Sequence, residues 1–367
     1  MNFSDIALLI VAGGKSSRMG RDKRFLSYNG TGLLERLCQK AEEIPLAERF
    51  LCVERETPEL MALAERFHLT LVTDVLQGRG PMAGISRGLS LMKEEFALAV
   101  SCDMPFLSLK KLSVLLETAG KEEQLKAVLP KTKRWQPLAG LYHRDMAKNF
   151  AEALQRGDNK LGLVIADVPH ACVDFADEND FFNVNTMADW RLACGRLANE
   201  NRQVPLVTIS APKSNTGKTT FIERLIPKLR QKGLRVGVVK GDCHGYDVDE
   251  EGKDSWRFKE AGASGVAVVS PNGYFIEQKT EKRANLVEIA GRLQDVDLVL
   301  IESRRHGTAP ILSLYRDKGE LSVTEDTAVL FSKTEQPVSG IRQFSLDDAE
   351  TAAAIVIFLC GGTAAKS

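Results

Sequence analysis

The chain has 367 residues, 44% of them hydrophobic, and 49 lysines and arginines balance 49 aspartates and glutamates. That length exceeds one ordinary core, so two domains of about 150 to 200 residues each are expected. With a net charge of zero, no global field argues for nucleic acid or an anionic membrane, so any anion site has to be local.

Ile6 to Val11 form an apolar run suited to a strand buried on both faces, broken at Ala12-Gly13-Gly14. Glycines let backbone N–H groups approach an anion closely, and Lys15, Arg18, Arg21 and Lys23 supply cations within nine residues. A polyphosphate fits that inventory, and so does an ordinary strand-to-helix turn with a solvated basic face. A helix over 32–43, a strand over 49–53, a helix over 60–67 and a strand over 69–73 follow, with Asp74 at its end. Gly78 to Gly84 make a second glycine-rich turn, 85–93 a helix, and 96–101 an apolar strand ending in Cys102-Asp103-Met104-Pro105. Strands alternating with helices imply parallel βαβ units, in which ligands bind outside the carboxyl ends of the strands. Residues 126–142 suggest a strand pair, with Arg134 to Pro137 at its turn. Asn183, Asn185 and Thr186 precede a further helix, either as turn and cap chemistry or as a binding pair.

The pattern restarts at 204–209, another buried strand, followed by Lys213, Ser214, Asn215, Thr216, Gly217, Lys218, Thr219, Thr220 and an amphipathic helix over 221–231. Gly-Lys-Thr-Thr between strand and helix is a P-loop in its required context. Loop amides and the helix N-terminus hold phosphates, Lys218 reaches the β and γ positions, and Thr219 offers its hydroxyl to magnesium. Pro212 replaces the first glycine of the motif, so the turn must be made differently. After a strand over 234–240, Cys243, His244, Asp247 and Asp249 offer ligand types at irregular spacing, a weak metal signal. A hairpin over 264–278 and a helix over 286–293 lead to 297–302, an apolar strand bearing Asp297 and Glu302, either of which could position magnesium or water as a Walker B acid. A strand over 328–331 and a helix over 346–359 complete the reading. No apolar run approaches a membrane span, and entry into the first strand without a basic leader points to the cytoplasm. The seven cysteines lack any C-x-x-C pair, so neither a disulfide framework nor a zinc site is indicated.

Taken together, Val11 to Lys23, Gly80 to Ile85, Cys102 to Pro105, Gln136 to Leu138 and Asn183 to Thr186 resemble, in order and spacing, the molybdenum cofactor guanylyltransferases. The second half, with its GKTT loop, K-G-D-C-H-G, Asp249 to Arg257 and DLVLIES, resembles the adapter P-loop protein of molybdopterin-guanine dinucleotide synthesis. These resemblances imply two three-layer α/β domains: a Rossmann-like nucleotidyltransferase of the nucleotide-diphospho-sugar transferase type over 1–195, a linker over 196–203, and a P-loop NTPase over 204–367. They also imply transfer of GMP from GTP to molybdopterin with release of pyrophosphate. Asp103 would hold magnesium, Lys23 would stabilise the α-phosphate, Gly13, Gly14 and Arg18 would hold the β and γ groups, and Val11 and Ala12 would be nucleotide-binding. Asp74, Gly80 and Gly84 match guanosine positions, and Asn183 and Asn185 match positions near the pterin. Cys52 to Glu54 depart from the family's usual asparagine. In the second half Lys218, Thr219 with magnesium, and Glu302 carry the expectation of GTP binding with slow hydrolysis at best, since no arginine finger is evident. Lys213 stands where deviant P-loops carry an extra lysine, which implies a homodimer through that domain, and a molybdoenzyme or its chaperone is the implied recipient. Two other readings stay open: a cytidylyltransferase of the same fold, and a non-catalytic cofactor carrier.

Overall fold

The computed structural model describes all residues except 14–18, 21, 75–77, 213–215, 242–249, 304–307, 317–320 and 363–367. Contacts divide the chain into two units, Met1–Ala193 and Cys194–Ser367.

The first unit is built on strands β1 (Ile6–Val11), β2 (Glu48–Val53), β3 (Thr70–Thr73), β4 (Phe96–Ser101), β5 (Ala127–Lys131), β6 (Ala139–His143) and β7 (His170–Asp174). They form one seven-stranded sheet in the order β3-β2-β1-β4-β6-β5-β7, parallel except for β6, which pairs antiparallel with β4 and β5. Every residue of β1 is buried, and its side chains alternate between two cores. Ile6, Leu8 and Ile10 pack with Leu34, Leu37, Leu60 and Leu116. These come from helices α1 (Leu33–Glu42), α2 (Pro58–Arg66) and α4 (Ser113–Ala119). Ala7, Leu9 and Val11 pack with Ile85, Leu89, Phe150 and Ile165, from α3 (Pro81–Leu91), α5 (Met146–Gln155) and α6 (Leu161–Ala166). The result is helix, sheet, helix. Helix α7 (Met187–Leu197) follows, and the boundary between the units falls within it.

Helix α3 begins four residues earlier than the sequence suggested. Gly80 takes a left-handed φ of +75° and Pro81 occupies the first turn, where its missing N–H costs nothing. Gly84 therefore belongs to the helix rather than to the preceding turn. Strand β7 and helices α5 and α6 also went unread, and β7 is a partly exposed, polar-interrupted edge strand.

In the second unit, β8 (Leu206–Ser210), β9 (Val236–Lys240), β12 (Leu298–Ser303), β13 (Ile311–Tyr315), β14 (Thr327–Ser332) and β15 (Arg342–Ser345) form a parallel sheet in the order β9-β12-β8-β13-β14-β15. Between them lie the antiparallel ribbon β10 (Gly265–Ser270) and β11 (Gly273–Gln278), and helices α8 (Lys218–Gln231), α9 (Asp254–Glu260) and α10 (Leu286–Ala290); α11 (Ala349–Leu359) closes the unit. Leu206, Val299 and Ile301 pack with residues of α10 on one face. On the other, α8 packs against α11 and Phe221 meets Phe331 edge-on at 5.1 Å. No helix among the described residues is long and apolar enough to cross a membrane.

The 196–203 stretch is fastened to the second unit by Asn199, which is 6% exposed. Its amide donates to the carbonyls of Leu206 (3.1 Å) and Leu359 (3.0 Å), and its oxygen accepts from the Leu206 N–H at 3.0 Å and from Arg202 at 2.8 Å. Asn199→Ala would leave those backbone groups buried without partners. The expected cost is about 2 to 3 kcal/mol, read as a lower urea midpoint for the second unit with the first unit's transition unchanged.

Candidate functional site

In both sheets the chain direction reverses beside the first strand, and the crevice at such a switch point is where ligands of open α/β sheets bind. In the first unit the crevice opens between the carboxyl ends of β1 and β4. The Cys102 N–H donates to the Val11 carbonyl (3.2 Å) and the Ser101 N–H to the Leu138 carbonyl (2.9 Å). This brings the β1 turn, the β4 acid and the Gln136 to Leu138 segment together. Val11 and Ala12 are buried, and Gly13 follows them.

Asp103 is 7% exposed. Its Oδ1 accepts from the Ser101 hydroxyl and its Oδ2 from the Lys23 Nζ, both at 2.6 Å, and the Val184 N–H donates to its carbonyl at 2.9 Å. Lys23 Nζ also reaches Asn185 Oδ1 at 3.5 Å. One cation thus touches a residue from the middle of the unit's sequence and one from near its end. Lys23 opens a short turn capped by Asp22, which accepts the Arg24 N–H at 3.0 Å. Burial raises the Asp22 carboxyl, but its hydrogen bonds with Arg24 outweigh that and hold it below the usual range. The same Arg24 donates to the Ala12 carbonyl at 3.2 Å, so it ties the Lys23 turn to the end of β1. Arg24 was not read from the sequence as a site residue. Only its place beside Lys23 signalled it.

Asn185 is exposed at the start of α7, where Asp189 accepts the N–H groups of Asn185 (3.1 Å) and Thr186 (2.9 Å). Asn183 differs: its amide donates to the Phe181 carbonyl at 2.9 Å, which is turn chemistry. Asn183 thus makes a turn contact, whereas Asn185 reaches Lys23.

Asp74 lies on the other side of Gly13. A Cβ on Gly13 would stand 3.7 Å from Asp74 Oδ2, and one on Gly84 would stand 3.2 Å from both Asp74 Oδ1 and Cys52 Cβ. Glycine at 84 leaves room for the carboxylate. Asp74 is 8% exposed, and among the described residues its Oδ1 has no hydrogen-bond partner. Burial pushes this carboxyl up to about 7, and the neighbouring Glu54 adds to the rise. Burial also pushes the Cys102 thiol up to about 12, which makes it a small apolar packing group beside Asp103.

In the second unit Gly217 has a left-handed φ of +93° and caps α8, of which Lys218 is the first residue. Thr216 and Lys218 are buried. The Thr219 hydroxyl lies 3.2 Å from each Glu302 oxygen, joining the P-loop helix to β12, while Thr220 is exposed. Asp297 is excluded as the Walker B acid: it precedes β12, at the opposite end of the strand, and pairs with Arg235 at 2.9 Å. Gly14, Arg18, Lys213 and Asn215, together with Cys243, His244, Asp247 and Asp249, lie outside the described residues. No group of three or more metal-ligating side chains occurs among the described ones.

Comparison with known proteins divides at the same place as the contacts. Residues 8–171 match the MobA-like NTP transferase domain, and residues 206–332 match Molybdopterin guanine dinucleotide synthesis protein B. A probable molybdenum cofactor guanylyltransferase of Natronomonas pharaonis is 31% identical over 199 residues, which cover 52% of this chain and 97% of that protein. The molybdopterin-guanine dinucleotide biosynthesis adapter protein of Haemophilus influenzae is 38% identical over 141 residues, covering 38% of this chain and 79% of that protein. Among solved structures, molybdopterin-guanine dinucleotide biosynthesis protein A from Archaeoglobus fulgidus is 24% identical, covers 51% of this chain and 95% of that one, and gives a TM-score of 0.44.

Asp74 makes the first unit's stability depend on pH. An unfolded aspartate titrates near about 3.9, whereas the folded one titrates at about 7. Between those values the folded chain keeps a proton that the unfolded chain has lost, so stability falls as pH rises and the full cost is present above pH about 7. Asp74→Asn is expected to be more stable than the parent at pH about 8 by on the order of 2 kcal/mol, with the gain vanishing near pH about 4. Urea unfolding across that range checks it.

Proposed function

Because the chain belongs to the molybdenum cofactor guanylyltransferase family over its first half and to the molybdopterin-guanine dinucleotide adapter family over its second, we propose that it is a nucleotidyltransferase fused to a GTP-binding adapter. It transfers GMP from GTP to molybdopterin and so forms molybdopterin guanine dinucleotide. The terminal phosphate oxygen of the pterin attacks the α-phosphorus in line, the bond from the α-phosphorus to the bridging oxygen breaks, and pyrophosphate leaves. Two anions must meet, so the protein's task is to neutralise charge and fix alignment.

The observation that carries this reading is the Lys23–Asp103 pair at the switch-point crevice, with an unpartnered carboxylate oxygen on the far side of Gly13. Lys23 steadies the α-phosphate as negative charge shifts towards the leaving group. Gly13 lets backbone approach the phosphates, and Gly14 and Arg18 belong to the same assignment. Asp74, in the space kept open by Gly84, accepts from the N1–H and 2-amino group of guanine, the edge that cytosine lacks, and Gly80 belongs to the same guanosine assignment. Asn185, through its contact with Lys23, and Asn183 face the pterin side. The residues present fit magnesium, which takes one or two carboxylates with phosphate oxygens and water. Asp103 would hold it in the first unit, and Thr219 with Glu302 in the second, where the ion would supply neutralisation of phosphate charge.

In the second unit Lys218, Thr219 and Thr220 hold GTP, with Lys213, Asn215, Thr216 and Gly217 completing the loop. A homodimer through this unit belongs to the same reading, as does delivery of product to a molybdoenzyme or its chaperone in the cytoplasm. The exposed apolar ribbon supports association: Val269 is 80% exposed, Tyr274 62% and Ile276 60%.

With GTP, magnesium and molybdopterin, the purified chain is expected to release pyrophosphate, and CTP is expected to be a poor substitute. Lys23→Ala and Asp103→Ala should each lower turnover by about 100-fold or more. Turnover equal to the parent in either variant at saturating magnesium would refute the assignment. In the second unit, Lys218→Ala should abolish GTP binding measured with the first site disabled.

A further inference from the structure

Strand β13 lies beside β8 on the side opposite β12, so its carboxyl end forms the second wall of the P-loop crevice. Arg316 is the first residue beyond it and is exposed. A Cβ built on Gly217 would stand 3.6 Å from the Arg316 Cζ and 3.7 Å from each terminal nitrogen. Three nearly equal distances mean that the flat face of the guanidinium covers Gly217, so its in-plane N–H donors are not spent on that glycine. Glycine suits the position because its φ of +93° disfavours any side chain.

The charge arrangement asks for a polyanion. Arg316 stands over the amino end of α8, where the helix dipole is positive and Lys218 begins the helix. Among the described residues Arg316 makes no ion pair or hydrogen bond. A guanidinium beside the positive end of a helix favours an anion there. The only acid described at the crevice, Glu302, lies on the opposite wall and faces Thr219. The crevice thus has an acid and hydroxyl wall suited to a metal and a guanidinium wall suited to phosphate oxygens, which a planar fork of donors binds in pairs.

We propose that Arg316 is a phosphate-binding residue of the second unit's nucleotide site, contacting the polyphosphate in cis across Gly217. The proposal rests on the reading of this unit as GTP-binding. It assigns Arg316 to phosphate rather than to the base, because the atom it covers belongs to the turn that holds phosphate.

The test uses the full chain carrying Lys23→Ala and Asp103→Ala, so that the first site is silent, and calorimetric titration with magnesium plus either GTP or inorganic tripolyphosphate. Arg316→Ala is expected to weaken both ligands about 10-fold or more, and Arg316→Lys, which keeps the charge but loses the fork, to recover part of the loss. Unchanged tripolyphosphate affinity in Arg316→Ala would overturn the proposal whether or not GTP weakens, and if GTP alone weakens it would move the residue to the base. If the background protein binds neither ligand, or Lys218→Ala binds both as tightly as that background, the GTP-binding reading itself fails, and Arg316 with it. Arg316 is exposed and its side chain supports no other group, so an unfolded variant is not expected; unchanged urea unfolding of Arg316→Ala confirms that the loss is local.

Discussion

The Lys23–Asp103 contact at 2.6 Å spans 80 residues of sequence and joins the two segments that border the first crevice. Other features of the site follow from holding that pair in place. Ser101 turns the carboxylate, the Val184 N–H fixes its backbone, and Arg24 anchors the Lys23 turn to Ala12. Asn185 extends the network to the start of α7. A partly buried ion pair contributes little to stability once desolvation is counted. Its value here is placement: a cation and an anion with exchangeable partners stand at the mouth of a sheet whose strands are otherwise apolar.

The second unit solves the same problem with other residues. Both sheets reverse direction beside their first strand, and both follow that strand with a glycine-bearing turn. The first unit places its lysine on a separate short turn and pairs it with a strand-end acid. The second places its lysine in the first turn of α8 and bridges helix to strand through Thr219 and Glu302. The lysine is reached across space in one unit and along the backbone in the other, which is why a compact motif marks only the second.

Much of the architecture was legible because apolar runs such as 6–11, 96–101 and 206–210 are long, continuous and followed by turn residues. The edges were not. β7 and β15 carry mixed burial, and β13 is only five residues long, with a serine at its centre. Missing β13 concealed the second switch point, and with it the place of Arg316. Among site residues, Lys23, Asp103 and Lys218 were legible from the glycine turns and the strand-end acid. Asp74 was legible as a strand-end acid, but the room that Gly84 leaves beside its carboxylate depends on Gly84 lying within a helix, where the sequence suggested a turn. The different fates of Asn183 and Asn185 depend on which neighbour each amide meets, and no spacing rule carries that.

The position of Asp74 has a thermochemical consequence. A carboxyl that titrates at about 7 is partly protonated in the empty protein at neutral pH, whereas a ligand that donates two N–H groups to it requires the ionised form. A ligand bound to Asp74 in the proposed way would therefore expel a fraction of a proton into the medium. The heat measured on binding then includes the buffer's own heat of protonation, so phosphate and Tris, at one pH and one affinity, would report different enthalpies for the same event.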